Sequence, residues 1–435
     1  MKDKINFQIK KLGPINDANI DIGKITVVGG PNATGKSTAS KLLYCFLRAN
    51  FNGREDFALK QLERKIDRIL GMVYDKLQIE EPEYVNFNEF APLEKPKSDP
   101  IVPYDTLELH HKFYQAQLDF YKNYDENNPF NESIEEDIKE VDDMLTMIYI
   151  NENNELPISL LRNILPIEFD NLLSFSSSFN GMKNNEKFYF SIDLYNSNLF
   201  DDKSFVAEGQ YDFNEVLYID SISFLDTLHP PLNTTHHVGY LKDLFKKNHS
   251  ENFDFFNEKI NKTKLKIQSI ISNIIGGEFN YDNGRLFYNS KNKDPLSIQN
   301  TSSGIKQIAL LLYLLDNQIL KEDCFLILDE PEVNLHPEWQ FKYAEVLVLL
   351  AKELNINIYM NSHSPMFIEA IEVLTQYYDL QDDTTFYMAE KYDETSYKFI
   401  NIDYDNLYKL YENLARPFDS IEVYRLKNEY KKGNY

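Results

Sequence analysis

The stretch GGPNATGKST, residues 29–38, constrains this chain more than any other, because two glycines and a Lys-Ser-Thr run directly follow a short apolar segment, KITVVGG. Gly30, Gly35, Lys36 and Ser37 satisfy the spacing G-x-x-x-x-G-K-[ST], in which a loop joins a buried strand to a helix. The next residues, KSTASKLLYCFLRA, carry apolar side chains at helical spacing, so strand, loop and helix are expected in that order. Such a loop aims successive backbone N–H groups and the positive end of a helix at one place, which suits a phosphate. Gly30, Pro31, Asn32, Ala33, Thr34, Gly35, Lys36, Ser37 and Thr38 form the expected cradle. Lys36 reaches the β- and γ-phosphates of a nucleotide, and the Ser37 hydroxyl is a ligand for Mg²⁺. An ordinary glycine-rich turn is the competing reading, and the strand-to-helix context weighs against it.

The chain has 435 residues, enough for two or three domains with a full hydrophobic core. Cys45 and Cys324 each sit in an apolar context and are expected in the core, not in a disulfide framework or a zinc site. The N-terminal MKDKINFQIKK has no apolar signal core, and the longest apolar run, IALLLYLL at 308–315, is too short for a bilayer. A cytoplasmic protein with no membrane partner is expected. The net charge of −24 argues against a general nucleic-acid coat protein. That charge is uneven: residues 80–143 hold 18 Asp or Glu against 5 Lys, a net of −13. Residues 242–266 hold Lys242, Lys246, Lys247, Lys259, Lys262, Lys264 and Lys266. This segment is either a solvated helix face or a DNA contact, the first being favoured. The pairs His110-His111 and His236-His237 have no partner at metal-ligand spacing and read as surface or loop histidines.

Residues 1–50 read as strand, turn, strand, phosphate loop and helix. Residues 51–185 change character, with acidic helical runs and the proline-rich PLEKPKSDPIVP, and are expected to form a mainly helical insertion. Strand patterns resume at KFYFSIDLY and EVLYIDSISFL, so residues 186–375 continue the nucleotide lobe, and 376–435 form a C-terminal α/β extension. GGEFNYDNGRLFY reads as a hairpin turned at Asn283-Gly284. The expected fold is α/β: a mainly parallel core sheet flanked by helices, with an antiparallel sub-sheet near the N-terminus.

The second half of a nucleotide site comes late in the chain. CFLILDEPEVNLHPEWQ is an apolar strand ending in Asp329 and Glu330. Beside a phosphate loop, the first carboxylate suits the Mg²⁺ shell and the second suits polarising a water; alone, the same residues make a strand-ending acidic turn. NINIYMNSHSPMFIEA repeats the form, with His363 just past the strand end and Pro365 opening a helix. His363 is therefore placed to meet the γ-phosphate or the water. In SIQNTSSGIKQIALLLYLLDN, Ser302, Ser303 and Gly304 precede an apolar helix. They suit either a phosphate grip or a plain serine N-cap.

The ordered set GPNATGKS, NTSSGIKQ, LILDEPEVNLHPEWQ and NSHSP resembles the ABC-type ATPases of the OLD and SMC-like branch, often labelled AAA-type ATPases. The resemblance covers residues 1–50 and 205–375 and implies a P-loop NTPase of ABC-ATPase type that uses ATP and Mg²⁺. It implies a head-to-tail dimer in which Ser302 and Gly304 act on a nucleotide bound by another subunit. By position, Lys36 and Ser37 hold phosphate and Mg²⁺, Asp329 supports Mg²⁺, Glu330 is the catalytic base and His363 the switch histidine. SSGIK departs from the transporter signature, which argues against a transporter subunit. Asp220 and Ser221 stand where the family carries a glutamine, and no role is assigned to them. His336 replaces the transporters' aspartate and suits a place at the dimer interface. OLD proteins add a nuclease domain; here Asp403 and Asp405 read as a polar strand end, and no nuclease is expected.

The function these expectations add up to is a nucleotide-dependent dimerising switch that hydrolyses ATP. Its resemblance to stand-alone ATPases of antiphage systems implies a separate protein effector. Two alternatives are kept: an ATP-dependent DNA-binding clamp of SMC-like type, and, less favoured, a P-loop kinase.

Overall fold

The computed structural model describes residues 4–51, 139, 143, 155–169, 175–183, 186–194, 204–209, 213–222, 225, 235–246, 258–282, 285–290 and 294–431. Residues 1–52 and 161–435 form one compact unit, and residues 53–160 form a second. Most of the expected helical insertion, including His110 and His111, lies outside the described residues.

The first unit is built on an eleven-stranded sheet. Its centre is a parallel block: β3 (Ile25–Gly29) lies between β12 (Asn357–Ser362) and β13 (Thr384–Lys391), and β11 (Cys324–Asp329) joins β12 to β7 (Glu215–Ile219). β3 and β11 are nearly unbroken apolar runs because both faces are covered. All five residues of β3 and all six of β12 are buried. One face is covered by α1 (Lys36–Ala49), which buries Leu42, Leu43, Tyr44, Cys45 and Phe46. Other helices of the unit are α5 (Ser303–Asp316), α6 (Pro337–Glu353) and α7 (Pro365–Tyr377), with apolar faces in one continuous core with β11 and β12.

An antiparallel wing extends the sheet: β1 (Lys4–Leu12) pairs with β2 (Ile15–Ile22) and with β4 (Ser176–Lys183). Next come β5 (Glu186–Asp193) and β6 (Phe205–Glu208). The antiparallel part near the N-terminus is therefore present as the sequence suggests. Two boundaries differ from expectation. β4, read from sequence as part of the insertion that ended at 185, is a full partner of β1 with Phe179 paired to Phe7. The C-terminal residues read as an extension instead supply β13 beside the phosphate-loop strand and β14 (Tyr397–Ile402), which bridges β13 to β2. β4 and β1 are antiparallel but lie more than 160 residues apart, and β13 and β14 find parallel partners remote in sequence, so neither pairing is visible in local pattern.

A separate three-stranded antiparallel sheet holds β8 (Gly277–Asp282), β9 (Arg285–Ser290) and β10 (Leu296–Ser297). Asp282 pairs with Arg285, which brackets the expected Asn283-Gly284 turn. The remaining helices are α2 (Glu155–Glu168), α3 (His236–Lys246), α4 (Glu258–Ile275) and α8 (Tyr408–Lys431). Cys45 and Cys324 are free and buried, as expected, and burial pushes the Cys324 thiol up to about 12.

Candidate nucleotide site

The loop between β3 and α1 turns at Gly35, whose φ of +92° is left-handed and whose Cα lies against β2: an added Cβ would fall 2.5 Å from Ile15 Cγ1. At Gly30 a Cβ would come within 2.8 Å of the Ala389 Cβ of β13. The loop is thus pressed between two strands that only glycine lets so close. Thr34 Oγ1 donates to the Pro31 carbonyl at 3.1 Å and tightens the bend. Lys36 is buried, and its ammonium donates to the carbonyls of Gly30 at 2.8 Å and Pro31 at 2.7 Å. Burial pulls its pKa down, opposed by the charges of Glu330, Asp329 and Glu332. Pro31, Asn32 and Ala33 are exposed at the rim, Ser37 is exposed, and Thr38 is half-buried at the start of α1.

The register of three parallel strands sets a polar row beneath α1. Asp329 pairs with Asn361, and Leu328 pairs with Ile219, so Asp220 lies one step past β7 next to Asp329. Asn361 Nδ2 donates to Asp329 Oδ1 at 2.9 Å and to Ser40 Oγ at 2.6 Å. The Ser37 hydroxyl stands close enough to Asp329 to favour its charged form. Burial raises the Asp329 carboxyl above its usual range, and Ser37 and Asn361 pull it back. A carboxylate and a nearby serine hydroxyl, both hard oxygen donors, form the donor set that Mg²⁺ prefers.

Glu330 adopts a left-handed backbone, φ +50°, unusual for a residue with a Cβ. Its N–H donates to the Asn361 carbonyl at 3.0 Å, so the turn after β11 is tied to β12. The side chain is 34% exposed, and its Oε1 lies 3.4 Å from His363 Nδ1. Such strain at a strand end is typical of functional positions. Glu332 is buried and takes donors from Ser362, His363 and Ser364. The structure therefore brings together Lys36, Ser37, Asp329, Glu330 and His363 from three separate segments.

Ser302 and Ser303 are exposed at the start of α5, while Gly304 is buried. Ser302 occupies the N-cap position but makes no side-chain cap bond, so the plain serine-cap reading is not what the hydroxyl does. Gln307 of the same helix donates to the Pro331 carbonyl and fastens α5 to the loop after Glu330. His336 caps α6 by accepting from the Glu338 N–H at 3.4 Å. Asp403 precedes and Asp405 lies within a short 3-10 turn after β14, and no cluster of three metal-ligating side chains occurs among the described residues.

Two expectations are corrected. His236 and His237 are not surface or loop residues: they open α3 and are buried. His237 Nδ1 lies 2.9 Å from Glu168 Oε2, and Nε2 lies 3.0 Å from Asp220 Oδ2. Burial opposes its charge, but the bonds to Asp220 and Glu168 win and push its pKa up to about 9. Burial alone would raise the Asp220 carboxyl; the bond from His237 and its charge bring it below the usual range. The other Asp220 oxygen, Oδ1, is buried without a hydrogen-bond partner among the described residues. The favoured reading of the lysine segment as a solvated helix face is corrected at Lys242, which is buried; Lys262 is exposed, Lys264 pairs with Asp316 at 2.7 Å, and Lys266 lies over the Tyr378 ring. The signal for His237 was present in the sequence, since His237, Leu241 and Leu244 share one helical stripe.

Residues 4–368 match a family model described as an AAA ATPase domain. The chain belongs to that family. Among solved structures this AAA ATPase chain is similar to the SMC head domain from Thermotoga maritima, at 11% identity over 93% of this chain and 100% of that one, with a TM-score of 0.39. It is also similar to an SmcHead bound to the C-winged helix domain of ScpA, at 12% identity, 92% and 97% coverage and a TM-score of 0.40. A third is an Smc head domain with an extended coiled coil bound to the C-terminal domain of ScpA, from Pyrococcus furiosus, at 9% identity, 94% and 98% coverage and a TM-score of 0.40. No curated protein matches the chain. Among the described residues, no helix is long and apolar enough to cross a membrane.

Proposed function

We propose that the protein binds ATP with Mg²⁺ at the loop of residues 30–38 and hydrolyses it at Glu330. The single observation that carries this is the convergence at the strand ends of β3, β11 and β12: a phosphate loop, a serine–aspartate pair and an outward glutamate beside a histidine. A Cβ at Gly30 or Gly35 would collide with the loop's neighbours, and the cradle this leaves fits a chain of phosphates. Lys36 exchanges its two carbonyl contacts for phosphate oxygens, while backbone N–H groups and the N-terminus of α1 oppose the remaining negative charge. Ser37 and Asp329 would hold Mg²⁺, which when bound neutralises charge on the phosphate oxygens. Glu330, exposed at the strand end, accepts the proton of the attacking water. His363 holds the terminal phosphate or that water in line.

The exposed Ser302 and Ser303 hydroxyls at the positive end of α5 suit an anion delivered by a second copy of the chain. Nucleotide then closes a head-to-tail dimer and hydrolysis releases it, with a protein effector as the receiver of the signal. Light scattering of Glu330→Gln with and without ATP tests the dimer. The expected result is a mass that doubles with ATP and returns on adding Ser302→Arg. A monomer under saturating ATP contradicts the dimerising switch.

A further inference from the structure

Glu332 is used by none of the roles above, yet it is the most enclosed carboxylate at the strand ends, 3% exposed. It leaves the loop after β11 and reaches beneath the loop after β12. One oxygen, Oε1, accepts from Ser362 Oγ at 2.7 Å, from the His363 N–H at 3.0 Å and from the Ser364 N–H at 3.2 Å. The other oxygen, Oε2, is buried and has no hydrogen-bond partner among the described residues. All three donors belong to residues 362–364, the tripeptide that carries His363.

The imidazole completes the pattern. His363 Nδ1 lies 3.4 Å from Glu330 Oε1 and 3.6 Å from Glu332 Oε1, and it is buried although the side chain as a whole is 39% exposed. The exposed edge of the ring is therefore the one away from Nδ1. Leaving a buried carboxylate oxygen without a partner costs free energy, and a fold that only needed to join two loops would be served by a neutral acceptor. The charge has a use if it acts on the imidazole.

We propose that Glu332 is the positioning residue of His363: its carboxylate fixes the 362–364 backbone and draws Nδ1 inward, so that the opposite edge of the ring faces the reacting phosphate. This rests on the reading of Glu330 and His363 as parts of an ATPase site.

A double-mutant cycle on the full chain tests it, with kcat and KM for ATP measured for the unaltered protein, Glu332→Gln, His363→Ala and the double variant. Glutamine keeps an acceptor for the three donors and removes only the charge. The expected result is a kcat lowered about tenfold or more in Glu332→Gln with KM changed less than about twofold, and no further loss in the His363→Ala background. Losses that multiply in the double variant, or an unchanged kcat in Glu332→Gln, overturn the proposal. Should Glu332→Gln not fold, Ser362→Ala removes one donor and takes its place, with a smaller loss and the same non-additivity expected. If the ATPase reading itself fails, Glu330→Gln retains turnover; if only the positioning role fails, Glu330→Gln is inactive while the cycle is multiplicative.

Discussion

Two histidines in this protein each stand beside two carboxylates, and they are held in opposite ways. His237 is fully enclosed, within 2.9 Å of Glu168 and 3.0 Å of Asp220, and carries charge to about pH 9. His363 is 39% exposed, and its nearest carboxylate oxygens are 3.4 and 3.6 Å away, outside good hydrogen-bond geometry. The first arrangement is a closed set of ion pairs that joins the end of α2, the start of α3 and the tip of β7. The second leaves part of the ring unengaged at the strand ends where the phosphate loop opens. A histidine enclosed between two close carboxylates serves the fold; one that keeps an exposed edge and stands farther from its carboxylates has something left to bind.

Exchanging the two residues for alanine should separate these roles. His363→Ala is expected to lower ATP turnover by about 10²-fold or more, in the range of a positioned polar catalytic group, while shifting the melting temperature by less than about 2 °C. Steady-state phosphate release and a thermal melt read both. A full-rate variant, or one that unfolds, would break the comparison. His237→Ala should do the reverse, leaving the buried Glu168 and the half-buried Asp220 without their cation at a cost of about 3 kcal/mol. Urea denaturation measures this, and a loss under about 1 kcal/mol would mean that the triad is not what ties these elements together.

A smaller effect sharpens the same contrast through pH. The folded pKa of His237 is raised from 6.5 to about 9, so its contribution is complete below about pH 6.5 and is lost as pH rises through 9. Asp220 is shifted down, so its part is present above the usual carboxylate range and lost in acid. The groups around the ring are Glu168, Asp220 and the Tyr44 and Tyr218 rings, with Lys41 acting on Asp220. The stability difference between the unaltered protein and His237→Gln should shrink by about 1–3 kcal/mol between pH 6.5 and 9.5. A difference that stays constant over this range would place no proton on His237.

The sequence made one half of this comparison legible and hid the other. Lys36 and Ser37 follow a glycine-marked loop into α1, and Asp329, Glu330 and His363 sit at strand ends marked by an abrupt change from apolar to polar residues, local patterns that spacing alone exposes. Glu168, Asp220 and His237 come from three elements separated by long stretches of chain, and no spacing rule links them. His237 did carry a signal, its helical stripe with Leu241 and Leu244, which outweighs the habit of reading a histidine pair as surface. The same limit explains β13 and β4: residues 176–183 read from sequence as part of the helical insertion and 384–391 as part of an extension, because which strand each one pairs with is decided by contacts across the whole sheet. Glu332 was obscured by its neighbours, since an acid after Asp329-Glu330-Pro331 looks like one more solvated charge.

The most direct test is single-turnover hydrolysis of ATP labelled at the γ-phosphate, comparing the unaltered chain with Glu330→Gln and with nucleotide binding measured in parallel. We expect Glu330→Gln to retain ATP and release labelled phosphate at least about 10²-fold more slowly than the unaltered chain. Release at the unaltered rate from a variant that binds ATP equally well would contradict the assignment of Glu330 as the residue that activates water.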